Sequence, residues 1–234
     1  KRRLTAAIAI LGALALGPAN AESRSVDTAY GAVTIDGQPQ RAVTLYEGAL
    51  DPALAVGANA VGAVITRGGN DVAEYIKPRA GDIAIVGAPA ETNIEAVIAA
   101  RPDIILAPAQ TNQQQYQLLS RIAPVVVSNV PMFQADSWEQ ETRLFGRALG
   151  REEAAENAIE DVKARIAEVA ALVERTVPED QRDATLVRWM PQGPLVMAEG
   201  LFSATLLQAV GFEVTDNGLV SDGRPHSQPL SLEN

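Results

Sequence analysis

Apolar and polar positions change period along this chain, and each change predicts an element. Val33 and Ile35 alternate with polar neighbours up to Asp36-Gly37, a strand running into a turn. Pro39 blocks continuation, and 41–45 (RAVTL) reads as a second strand. Short helices and short apolar strands then follow one another. A helix over 49–56 stops at Gly57, 61–65 is a strand, 67–80 a polar loop and 83–86 a short apolar run ending at Gly87. Next come a helix over 93–100, a strand over 103–107, a helix over 113–122 and, past Pro124, a strand over 125–128. Such alternation predicts an α/β lobe with a largely parallel sheet, whose ligands bind beyond the carboxyl ends of its strands.

From Asp136 the period becomes helical. Asp136 or Ser137 can cap a helix, with Glu139 or Gln140 placed for a capping box, and that helix meets Gly150. A longer helix follows to Pro178. Its residues Ile159, Val162, Ile166, Val169 and Val173 step by three and four, giving one apolar stripe on a charged rod. The stripe is too short and too Ala-rich for a coiled-coil dimer. A one-sided helix between two α/β segments reads instead as a strut joining lobes. Strands over 184–190 and 195–198, a helix over 203–210, a third strand over 212–215 and a polar loop over 216–229 follow. The last residues, LSLEN, open another helix. Two or three strands cannot cover a sheet by themselves, so the second lobe reads as truncated. The expected fold class is therefore α/β: two Rossmann-like lobes joined by a single long helix. The expected segments are 28–135 (first lobe), 136–177 (helical, with the strut) and 178–234 (second lobe, incomplete).

The first residues change the picture. Lys1, Arg2 and Arg3 precede an apolar run over 4–17 and the small-residue signal Ala19-Asn20-Ala21. This is a secretory signal peptide over 1–21, cleaved after Ala21. Its apolar run is shorter than the roughly 20 residues that span a bilayer. Arg2-Arg3 leaves the choice between general secretory and twin-arginine export open. The chain has no cysteine, so disulfides, thiolate ligands and a lipid-bearing cysteine are excluded, and no membrane anchor is expected. Losing the signal takes Lys and Arg from 19 to 16 against 29 Asp and Glu, a balance of −13. Nucleic acid is a poor partner for so acidic a chain. Aromatic residues make up only 4%, so aliphatic residues and Ala build the core.

Little chemistry is on offer. His226 is the single histidine, in a polar Gly/Pro-flanked loop where a solvated side chain is expected. A Ser-His-Asp triad lacks its G-x-S-x-G elbow, zinc hydrolysis lacks a second histidine, and no Walker loop or G-x-G-x-x-G follows a strand. Paired carboxylates remain open, which keeps an exported α/β enzyme as an alternative.

In one order, the chain carries the signal peptide, GQPQRAVTL, DPALAVGANAVGAV, NIEAVIAARPDIILA, the strut, LLQAVGF and LSLEN. This series resembles the iron–siderophore branch of the periplasmic substrate-binding proteins of ABC importers, over roughly 28–234. The resemblance implies two lobes on one helix, with a ferric chelate held in the cleft. The partner is an inner-membrane ABC permease, the location periplasmic and the state monomeric, with neither catalysis nor a cofactor. Iron stays wrapped in its chelator, so no metal-ligating residues are expected. Haem or a corrinoid is the alternative ligand, with Tyr46, Tyr75 or His226 as possible axial groups.

A bulky, oxygen-rich chelate calls for guanidinium and aromatic partners at strand ends. The candidates are Tyr46 and Glu47, Arg67 beside Thr66, and Gln110 and Thr111 in the first lobe. Across the cleft they are Arg188, Trp189 and Phe202. Relatives for hydroxamate or citrate chelates often carry an arginine after the glycine matching Gly87; here Ala88 stands there, and Arg67 or Arg79 would have to compensate. Glu95 suits the dipole of its helix. The resemblance gives it a second role: Glu95 and Glu233, one per lobe, are the expected permease-docking carboxylates.

Overall fold

The computed structural model describes residues 23–132 and 134–231. The signal peptide expected over 1–21 and Glu233 lie outside the described residues.

The chain opens with an antiparallel hairpin of β1 (Ser23–Thr28) and β2 (Gly31–Asp36). Five parallel strands follow, interleaved with helices. In chain order the elements are β3 (Ala42–Thr44), α1 (Glu47–Ala55), β4 (Ala60–Ala63), α2 (Lys77–Ala80) and β5 (Ala84–Ile85). Next come a small hairpin of β6 (Gly87–Ala88) and β7 (Glu91–Thr92), then α3 (Ile94–Ala100), β8 (Ile104–Ala107), α4 (Gln113–Leu119) and β9 (Val125–Val127). The sheet order is β5-β4-β3-β8-β9, all parallel.

The apolar run Ile104-Ile105-Leu106-Ala107 is explained by burial on both faces. Ile104 and Leu106 join Ala49 and Ala53 of α1, while Ile105 and Ala107 join Val97 of α3 and Leu119 of α4. Gly62 in β4 leaves no room for more, since a Cβ there would sit 2.9 Å from Val86 and 3.0 Å from Val43. The RPD hinge after α3 is also built. Arg101 ends the helix in the left-handed region, and the Arg41 guanidinium donates to the carbonyls of Ala100 (2.6 Å) and Arg101 (2.9 Å). Asp103 in turn accepts the amides of Gln40 and Arg41.

α5 (Ser137–Ala148) lays Phe145 into the face that holds α1 and the β1–β2 hairpin. No side chain caps its N-terminus. The expected capping box does not form, because the Asp136 carboxylate accepts the Gln140 amide instead. At its C-terminus Arg24 of β1 donates to the carbonyls of Gly37 (2.6 Å) and Ala148 (3.4 Å), a cation placed where the helix dipole favours one. Gly150 turns the chain with φ +65°, and the Arg24 guanidinium fills the space where a side chain would stand.

α6 (Glu152–Thr176) is the long helix expected, about 37 Å at 1.5 Å per residue. Its stripe is buried only towards the ends, at Ala155 and Ile159 and again at Val173; Val162 is exposed. Lys163 to Glu139 (2.6 Å) and Arg143 to Glu156 (2.8 Å) tie it to α5.

Beyond it stand β10 (Asp183–Ala184), β11 (Val187–Met190), β12 (Gly193–Val196), α7 (Phe202–Ala209) and β13 (Glu213–Val214). Three expectations need correction. The strand expected over 184–190 changes partner midway. β10 pairs in parallel with β13, whereas β11 forms an antiparallel hairpin with β12 through Pro191-Gln192. The end of the polar loop runs beside β12. Ser227 N donates to Val196 O (2.8 Å) and Leu230 N to Pro194 O (3.0 Å). His226 is consequently half-buried, with Nδ1 2.8 Å from Ser227 O, rather than solvated. The loop expected over 67–80 also ends in a turn of helix, α2.

Candidate ligand-binding site

β3 feeds α1 and then β4 on one side, while β8 feeds α4 and then β9 on the other. The chain therefore diverges between β3 and β8, and this switch point leaves a crevice beyond the strand ends. A pocket of about 620 Å³ lies there. Its walls are the start of α1, the β6–β7 turn, the segments after β8 and β9, and the first turns of α5. A second concavity of about 630 Å³, between α6 and α7, is an open groove away from any strand end of the parallel sheet.

Tyr46 forms the pocket floor. Its hydroxyl donates to Oε1 of Glu141, which also accepts from Ser128 Oγ at 2.7 Å. Burial, reinforced by the Glu141 charge and that hydrogen bond, pushes the phenol pKa well above its ordinary 10. Burial and Glu141 thus favour the neutral, hydrogen-bond-donating phenol at Tyr46. Gly48 makes the arrangement possible. A Cβ there would lie 2.6 Å from Tyr46 Cε2 and 3.2 Å from Glu141 Oε2. No side chain caps α1, so the polar N–H end of the helix opens into the pocket.

Glu47 accepts the Thr66 hydroxyl. Arg67 lines the opposite rim, exposed, with no carboxylate within ion-pair distance among the described residues. The Gln110 amide meets the Met132 sulfur. Thr111 is buried, with its hydroxyl donating to Pro108 O at 2.7 Å, while its carbonyl accepts from Tyr30 at 2.7 Å. Tyr30 stacks on Tyr116 with ring centroids 4.3 Å apart, so the first hairpin fastens the segment after β8. At Ala88 the chain makes a tight β6–β7 turn that presents Pro89 and Ala90, with Ala90 at φ +66°.

The structure thus brings together Tyr46, Glu47, Arg67, Gln110 and Thr111. Arg188, Trp189 and Phe202 do not line this pocket. Arg188 and Trp189 lie on β11, where Trp189 is 69% exposed, and Phe202 starts α7 with its ring 6.1 Å from that of Trp138. Sequence reasoning missed Glu141, Ser128 and Tyr30. Glu141 reads as one more charge on an amphipathic helix, and only its distance of 95 positions from Tyr46, closed by folding, reveals the pair. Glu95 is exposed in the first turn of α3, and no ion pair reaches it among the described residues. The cap is Asn93, whose side chain accepts from Ala96 N at 3.1 Å. No group of three or more His, Asp or Glu among the described residues is placed to hold a metal.

A pocket at the switch point of one α/β lobe, with a single long helix leading to a second α/β segment, is the construction of a helix-linked solute-binding protein. The chain belongs to the periplasmic binding protein family, whose model matches residues 43–234. It is 25% identical over 186 residues to the achromobactin-binding periplasmic protein of Dickeya dadantii, covering 79% of this chain and 60% of that one. It is 25% identical over 195 residues to the probable siderophore-binding lipoprotein YfiY of Bacillus subtilis, covering 83% and 58%. Its fold superposes with a TM-score of 0.73 on Staphylococcus aureus SirA complexed with staphyloferrin B, at 30% identity over 90% of this chain and 71% of that one. The chain spans about 60% of the length of these two curated relatives. The family consists of binding proteins, which gives the paired-carboxylate enzyme no support.

Proposed function

We propose that this is a periplasmic solute-binding protein that captures a ferric siderophore in its cleft and delivers it to an ABC permease. The observation that carries this reading is the pocket at the β3/β8 switch point, in a fold shared with siderophore-binding relatives. Tyr46, Glu47, Arg67, Gln110 and Thr111 form the first-lobe wall. Arg188, Trp189 and Phe202 do not line this pocket, and their part in the proposal is contact with the ligand's outer face from the 178–234 segment. The chelate's iron is cargo, held by its own ligands, so no cofactor is involved.

The signal peptide read over 1–21 supports delivery to the periplasm, where the protein works as a monomer. No helix among the described residues is long and apolar enough to cross a membrane. Glu95 and Glu233 form the docking pair for the permease, and the exposed, unpaired carboxylate of Glu95 supports its half of that role. Haem is the weaker alternative, because the relatives named above bind siderophores.

The test is intrinsic fluorescence of Trp138 and Trp189. Ferric siderophores should quench it in a saturable way, whereas free ferric iron and haem should not. No response across citrate, hydroxamate and catecholate chelates would end this reading.

A further inference from the structure

We infer that the first-lobe wall selects its ligand by charge, accepting a neutral or cationic chelate face rich in hydrogen-bond donors and disfavouring one rich in free carboxylates. This deepens the siderophore reading and rests on it.

The ionised groups that line the pocket are Glu47, Glu141 and Arg67, a formal sum of −1. Both carboxylates are held by hydroxyls: Glu47 by Thr66, and Glu141 by Tyr46 and Ser128. Neither has a cation within ion-pair distance among the described residues. Hydroxyl donors fix a carboxylate in place without cancelling its charge. Each also keeps its second oxygen free of a protein donor among the described residues. Glu141 Oε2 lies 3.2 Å from where a Cβ on Gly48 would stand.

Two features oppose this negative field. The N-terminus of α1 carries roughly half a positive charge, which offsets only part of that formal −1. Arg67 is exposed at the rim, where water screens it, while Glu141 sits half-buried on the floor and is screened less. The field on the floor is therefore negative. What complements it is an ammonium, an amide N–H or a hydroxyl on the chelate, each able to donate to the free carboxylate oxygens.

The test uses the full chain and three ferric chelates: cationic ferrioxamine B, neutral ferrichrome and anionic ferric dicitrate. Ferrioxamine B and ferrichrome should bind at least about tenfold tighter than ferric dicitrate at low salt, with the gap shrinking as salt rises. Glu141→Gln keeps the acceptor for Tyr46 and removes the charge; it should narrow that gap several-fold. Glu47→Gln, at an exposed position, should narrow it independently and covers the case where the floor substitution disturbs folding. Tightest binding of ferric dicitrate by the parent, or an affinity ratio that neither substitution moves, would overturn the inference and leave siderophore capture standing. Absence of binding by all three would overturn the inference, and a failure of ferric catecholates as well would overturn siderophore capture.

Discussion

Gly48→Ala isolates the packing on which the pocket floor depends. Taken alone, the change favours the protein, because Ala in a helix is better than Gly by up to about 1 kcal/mol. At this position, however, the new methyl would lie 2.6 Å from Tyr46 Cε2 and 3.2 Å from Glu141 Oε2. An ordinary carbon–carbon contact is about 3.5–4.0 Å, so the ring must retreat by roughly 1 Å. That retreat strains or breaks the Tyr46–Glu141 hydrogen bond, and a bond to a charged group contributes about 1.5–3 kcal/mol. The clash therefore outweighs the propensity gain, and the net cost should be about 1–2 kcal/mol in urea denaturation. A double-mutant cycle supplies the control. In a Tyr46→Ala background the obstruction is gone, and Gly48→Ala should become neutral or stabilising. Two results would refute the reasoning: a stabilising Gly48→Ala in the parent, or the same cost in both backgrounds.

Other consequences follow from the same geometry. Ala90 sits at φ +66° in the β6–β7 turn, so Ala90→Gly should raise stability by about 1 kcal/mol; a fall in urea midpoint would contradict this. Tyr46 and Tyr75 both titrate above the ordinary tyrosine value, Tyr75 being pushed up to about 12 by burial and its bond to Asp51. Above pH 10 the unfolded chain releases these protons before the folded one does, so stability should hold below that pH and fall as pH rises beyond it. Tyr46→Phe should flatten that fall, and ultraviolet titration should show the lost phenol to be one that ionises late rather than near pH 10. Reversing the charge of Glu95 and Glu233 together should abolish uptake in a transport assay while chelate affinity stays unchanged. A loss of affinity would instead put the two carboxylates in the cleft.

Much of the α/β lobe was legible because its strands are buried on both faces. Such strands are written as uninterrupted apolar runs, as in Ile104–Ala107 and Val125–Val127, and glycine or proline punctuates the helices between them. β1 was not legible. Ser23–Thr28 buries only Val26 and Thr28, and it is held by pairing with β2 and by Arg24 reaching α5. The change of partner between β10 and β11 was hidden for a related reason. Apolar period reports burial, not which neighbour a strand's N–H groups meet.

The sequence by itself determined the α/β alternation, the long helix after Gly150 and the strand-end positions of Tyr46, Glu47, Arg67, Gln110 and Thr111. Local periodicity and turn chemistry encode those features within a few residues. Only the tertiary structure decided that Tyr46 and Ser128 share one carboxylate from α5, that Gly48 is the gap admitting them, and that Phe202 packs on Trp138. The bonds to Glu141 and the Phe202–Trp138 contact join residues distant in the chain. Burying polar groups costs free energy unless they meet one another, and which groups meet is decided by folding, not by any local pattern.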